Sequence, residues 1–325
     1  VFPERWPPIV WPPPPDPPRI RYVGELTGQA SLGRQPTGLD VLGAVLAGPP
    51  PMVAFVAPLA VAAEGSLVFV SDGAGPGGAG VHVLDLEQRT RMTFREAEGG
   101  PLLWPIDVVP AGGWLAVADA RRGEVYMFTR SGRFVRTVGR GVLQRPSGLA
   151  WNAAAGELWV VDAAAHACLV FDAAGGLLRR IGRRGLEPGC FNSPVGVGAG
   201  VWEGIWRAVV ADAMNFRVQV LAADGAPWRV FGQKGDAAGD LSLPRDAAVD
   251  SDGHIYVLDK HFENVQIFDR EGRLLMAFGE EGSGPGQFSL PSSIWIDSQD
   301  RIWIADTYNR RVQVFQYLHA VEPAE

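Results

Sequence analysis

The stretches LPRDAAVDSDGHIYVLDKHFENVQIFDREGRLLMAFG (243–279) and LPSSIWIDSQDRIWIADTYNRRVQVFQ (290–316) are two copies of one unit. Each opens with proline, runs through an alternating apolar segment to an aspartate, turns, and enters a second segment that also ends in aspartate. A loop then leads into V-Q-[IV]-F. Short β-branched and aromatic runs separated by Ser251-Asp252-Gly253 and Arg270-Glu271-Gly272 read as antiparallel strands joined by tight turns. The same frame opens at Pro194, Pro146, Pro105 and, in degraded form, Pro58. The aspartates that close the second strand, Asp72, Asp119, Asp162, Asp212, Asp259 and Asp306, fall 47, 43, 50, 47 and 47 residues apart.

Six units of this period, each of four short strands, cannot bury both faces alone; stacked radially, each covers its neighbours. The expected fold is all-β, a six-bladed β-propeller of four-stranded antiparallel blades starting near residues 58, 105, 146, 194, 244 and 291. The last unit holds only three strands. RIRYVG (19–24) resembles the fourth-strand pattern FVRTVG (134–139), so residues 20–26 are expected to pair with the final unit and close the ring. The propeller thus occupies 19–318, with 319–325 as a tail. Residues 35–52 fit no blade, and a short helix is expected over Leu39 to Ala47.

The 325 residues are 47% apolar and 20% charged, which suits a large core and opposes disorder. The formal charge of −7 argues against broad nucleic-acid binding. No apolar run is long enough to span a bilayer. The two cysteines, Cys168 and Cys190, form no CxxC or CxxCH motif, which excludes zinc ribbons, thioredoxin-type chemistry and covalent c-type haem attachment. Residues 1–18 contain nine prolines and favour an extended spacer. With Val1 in first place, this leader is expected to follow a removed export signal, which puts the protein in an extracytoplasmic location. Trp6 and Trp11 lie within the leader and are expected to dock on the propeller or on a neighbour.

The pattern P-x-x-x-x-V-D…V-x-D-x-x-N-x-R-V-Q-V-F, clearest at 290–316, resembles the NHL repeat. The connectors GEEGSGPGQFSLP (279–291) and GRRGLEPGCFNSP (182–194) are similar to that family's inter-blade loop. The proline leader and closing strand look like bacterial exported or lipid-anchored members of the family. That resemblance implies a protein-protein interaction scaffold in an envelope assembly, multihaem cytochrome systems among the partners. A lipid anchor would belong to the precursor. Family members also include RNA binders and a metal-dependent peptidylglycine lyase. In the lyase branch the zinc-ligating histidines follow the blade-opening proline. The matching residues here are Leu59, Ile106, Ser147, Val195, Arg245 and Ser292, none of them an imidazole, so no cofactor or metal is expected.

Two carboxylates, Asp107 and Asp246, fall two residues after a blade-opening proline. With Arg245 they are the candidates for a channel-mouth hydrolase or lyase, the alternative to a non-catalytic scaffold. Calcium would ask for more oxygens than these two carboxylates bring. The six recurring aspartates occur once per blade, as expected for braces that accept backbone N–H bonds rather than for one catalytic constellation. Loops on the proline-opening face carry Arg121, Arg122, Arg140, Arg145, Arg183 and Arg184 on one side, countered by Glu124 and Glu187. Asp236, Asp240, Glu280 and Glu281 lie on the other side. This polarised face, with Arg245, Asp246, Asp107, Trp6 and Trp11, is the expected partner-binding surface.

Overall fold

The computed structural model describes residues 2–3, 6–33 and 53–319. The expected insertion at 35–52, with its short helix, lies outside the described residues, as does the tail beyond His319.

Blades 1 to 5 are four-stranded antiparallel sheets with strands in sequence order from the channel outwards. Blade 5 is typical, with strands Pro244–Val249, Ile255–Asp259, Asn264–Phe268 and Leu274–Phe278. Six hydrophobic clusters fill the seams between adjacent blades, one to each seam. This follows from the two-residue period of a strand, which sends alternate side chains into opposite seams.

The sixth blade is completed from the other end of the chain. Its own strands, Pro291–Ile296, Arg301–Asp306 and Arg311–Tyr317, are followed in the sheet by Ile20–Leu26. The closing strand pairs antiparallel with Arg311–Tyr317, and its register shifts between Tyr22 and Gly24. That bulge decides what the strand can bury. Ile20 and Tyr22 enter the seam between blades 5 and 6, whereas Leu26 enters the seam between blades 6 and 1. Without the bulge, plain alternation would put all three on one face and the other seam would lose its apolar plug.

The leader is not a free spacer along its whole length. Val10–Trp11 adds a fifth strand, pairing with Arg21 and Ile20. Trp11 packs with ring centroids 5.8 Å from both Phe278 and Phe315. Its ring fills a notch over Gly286, where a Cβ would lie 2.4 Å from the indole. Phe2 does the same over Gly24, where a Cβ would meet its ring at 2.6 Å. At the far end of the strand pair, Tyr317 Oη donates to Asp252 at 2.9 Å, and His319 lies 3.1 Å from both Asp252 and Asp300.

Both cysteines are free. Cys168 is fully buried, and burial pushes its thiol well above the ordinary range. Among the described residues no helix is long and apolar enough to cross a membrane.

Candidate functional site

One end of the ring gathers the inter-blade loops and the turns between second and third strands, and the recurring aspartates hold that end together. All six are at most 1% exposed. Asp162 accepts the N–H groups of Gln144 and Arg145 from the incoming loop, and those of Ala164 and Ala165 from the turn, at 2.6 to 3.1 Å. Asp119 and Asp259 repeat this pattern. Asp212 and Asp306 instead use the N-x-R-x-Q residues that follow them. Asp306 accepts from Ser289 N, Asn309 Nδ2, Arg311 Nε and Gln313 Nε2. Gln313 then reaches back to Gln287 O at 2.6 Å and accepts from Gly286 N. The periodic motif is therefore the joint between one blade's exit loop and the next blade's turn.

In the channel, Asp107 and Asp246 come from blades 2 and 5, opposite each other in the ring. Each spans to the next blade by the same device. Asp107 accepts the N–H of Val108 and of Leu149, both at 2.7 Å. Asp246 accepts the N–H of Ala247 at 2.9 Å and of Ile294 at 3.0 Å. Glycines take the matching position in blades 3 and 4, and a Cβ on Gly196 would lie 2.4 Å from Asp246 Oδ1. Burial, then the charge of Asp246, pushes the Asp107 carboxyl up to about 8. Burial also raises Asp246, to about 6, against the opposing pull of the Ile294 N–H and Arg245. The two carboxyls share one channel, and the charge of Asp246 disfavours ionisation of Asp107. With every oxygen already accepting a main-chain N–H, their evident task is to join neighbouring blades.

Folded Asp107 keeps its proton over a range in which the unfolded chain has released it, so stability falls as pH rises from about 4 towards the folded value. Asp107→Asn cannot release a proton. The stability of this variant relative to wild type should therefore rise between pH 5 and pH 8.5, by on the order of 1–3 kcal/mol, because only wild type loses stability over that range. Melts of both proteins across that range check it; a constant gap would contradict the raised carboxyl.

The arginines sort into distinct situations. Arg140 is held by Glu98 at 3.0 Å and Glu124 at 2.8 Å, so its charge is already balanced. Arg121 lies over the Trp104 ring at 5.1 Å, and Arg122 donates to Pro101 O at 3.1 Å. Arg145, Arg183 and Arg184 are exposed, and among the described residues none has a carboxylate in ion-pair reach. On the acidic side Asp236, Glu280 and Glu281 are exposed, but Asp240 is buried, bonded to Gln233 Nε2 and Ala237 N. It braces its loop and does not serve as surface charge. Trp6 is 91% exposed, whereas Trp11 is used within the fold. His166 Nδ1 accepts from Ser193 N at 2.9 Å, which gives that histidine a loop-bracing role.

Two features were missed from the sequence. Leu103, Val142, Leu186, Met214, Leu290 and Tyr308 all stand exposed on the loop-bearing face. Their positions in inter-blade loops and second-to-third strand turns could have revealed them. The second is Lys260, which follows the rung Pro244↔Asp259 and so stands beside Arg245. Among the described residues no group of three or more His, Cys, Asp or Glu side chains is placed to hold a metal ion.

A family described as a six-bladed β-propeller matches residues 247–319, the last two blades. Among solved structures, an auxiliary nutrient binding protein from Bacteroides thetaiotaomicron VPI-5482 superposes with a TM-score of 0.62 at 14% identity, covering 82% of this chain and 70% of that one. A streptogramin B lyase gives 0.57 at 10% identity over 81% and 94% of the two chains. Virginiamycin B lyase from Staphylococcus aureus gives 0.56 at 11% identity over 81% and 96%. At such identities the likeness speaks for the propeller fold alone. No curated protein matches the chain.

Proposed function

We propose that this propeller is a non-catalytic protein-protein interaction scaffold and that its loop-bearing face is the docking surface. The observation that carries this reading is the ring of exposed apolar side chains on that face, among which Leu186 is 73% and Tyr308 72% exposed. Exposed arginines interleave with it at 121, 122, 145, 183 and 184. Apolar anchors within an arginine-rich surround are the composition of a partner-binding surface. The resemblance to exported NHL propellers and the proline-rich leader support an extracytoplasmic setting. They also support an envelope assembly, such as one built around multihaem cytochromes, as the partner.

The test is copurification from the native host. A tagged wild-type chain should retain a partner that Leu186→Asp with Tyr308→Asp loses at least about tenfold, since desolvated anchors each contribute more than about 1.4 kcal/mol. Val201→Glu, at the opposite end of the ring, should retain it. Equal recovery by all three would count against the proposal. A channel-mouth hydrolase or lyase is the second reading, supported by the raised carboxyls of Asp107 and Asp246. It requires a turnover that Asp246→Asn abolishes.

A further inference from the structure

In five blades the residue after the opening proline is the extra residue of a β-bulge: Leu59, Ile106, Ser147, Arg245 and Ser292. A bulge takes a side chain out of the strand's alternation and re-aims it. Here it does so at the end of the innermost strand, where the six blades converge. Ser147 is committed to Pro194 O at 3.2 Å, and Ser292 to Leu59 O at 2.6 Å. Only blade 5 places a cation at this position.

The Arg245 bulge follows the rung Pro244↔Asp259, and Lys260 follows Asp259 on the adjoining strand, its N–H donating to Leu243 O at 3.0 Å. The residues equivalent to Lys260 are Gly73, Ala120, Ala163, Ala213 and Thr307, all uncharged. Two cations thus stand side by side, both half-buried. Among the described residues, neither side chain has a hydrogen-bond acceptor or a carboxylate in ion-pair reach. Asp107 and Asp246 attract Arg245 from further off. They cannot swing to meet it without giving up the N–H groups of Leu149 and Ile294. Burial, with the Arg245 charge second, lowers the affinity of Lys260 for its proton, as expected for a cation without a counter-charge.

We propose that the channel mouth beside blade 5 is a binding site for the carboxylate of a ligand with an apolar body, held by Arg245 and Lys260. A guanidinium fork and an ammonium together match a two-oxygen anion. One negative charge is a better complement than two, because Asp107 and Asp246 stand close below and their carboxyl groups disfavour added negative charge. The apolar body follows from Ile106 and Val195, both half-buried at the equivalent positions of two other blades. This site stands independently of the docking proposal.

The test titrates the full chain with phenylacetate, its uncharged amide, inorganic phosphate, and a blocked peptide bearing a Phe-Glu pair. Calorimetry provides the readout. Saturable binding of phenylacetate, absent with the amide and weakened about tenfold in Lys260→Gln, supports the site and a free small carboxylate as its ligand. A peptide that binds at least about tenfold more tightly than phenylacetate, with the same loss in Lys260→Gln, supports the site and assigns the carboxylate to a partner's side chain. Arg245→Gln is the second variant and should show the same loss. The proposal is overturned if neither acid binds, if the amide binds as well as the acid, if phosphate binds more tightly, or if Lys260→Gln binds as the wild type does.

Discussion

A chain shortened to begin at Gly28 should fail to fold cooperatively, and adding a peptide of residues 8–27 should restore the native melt. The deletion removes Ile20, Tyr22 and Leu26, all at most 5% exposed, together with Trp11 and Phe2. At about 1.5–3 kcal/mol for each of the three buried side chains, the loss is on the order of 5–9 kcal/mol before Trp11 and Phe2 are counted. That is comparable to the whole net stability of an ordinary domain. It also strips the edge of Arg311–Tyr317, leaving its main-chain groups free to pair with another chain. The complementing peptide should bind saturably and raise the melting temperature. A shortened chain that melts as the full-length protein does would show that the ring does not depend on this strand.

Asp306→Ala should be clearly more damaging than Asp162→Ala, the recurring aspartate that holds only backbone donors. The side chain accepts from one backbone N–H and from Asn309, Arg311 and Gln313. Its removal leaves the Arg311 guanidinium, only 7% exposed, without its buried counter-charge. The remaining carboxylate partner of Arg311 is Glu25 at 2.8 Å, 40% exposed and carried by the closing strand. Breaking such a pair from one side costs about 3–5 kcal/mol. In Asp162→Ala only backbone donors lose their acceptor, and about 2–3 kcal/mol is expected. Chemical denaturation of the two variants gives the order directly. An equal or reversed order would show that Arg311 does not depend on Asp306.

The ring was legible in the sequence because each blade repeats the same joint. An aspartate that must accept loop N–H groups cannot drift in position, and the N-x-R-V-Q pattern marks where side chains take over that task. The closing strand was legible from its resemblance to other outer strands, and residues 20–26 are those that pair. Its bulge was marked only by Gly24, a signal that equally fits the close approach of the Phe2 ring at that residue. The division of labour between the leader tryptophans was not legible. Trp11 is seated in a glycine notch that lies some 270 residues along the chain, and pattern cannot anticipate that distance.

The candidate site was read less fully, for a physical reason. Sorting charges by loop locates them but does not show their partners. Arg140 and Asp240 read as surface charge, yet one is ion-paired and the other buried. Asp107 and Asp246 were placed in the channel, but their links to Leu149 and Ile294 depend on the offset between blades. Lys260 joins Arg245 only once the rung Pro244↔Asp259 is known.

The central claim is that the loop-bearing face of the ring holds a protein partner. Hydrogen exchange on the complex purified from the native host, compared with the isolated propeller, tests it most directly. Protection concentrated at 183–190, 213–216 and 307–310 is the predicted result. Protection confined to the opposite turns, at 202–205 and 250–254, or none in either set, would contradict it.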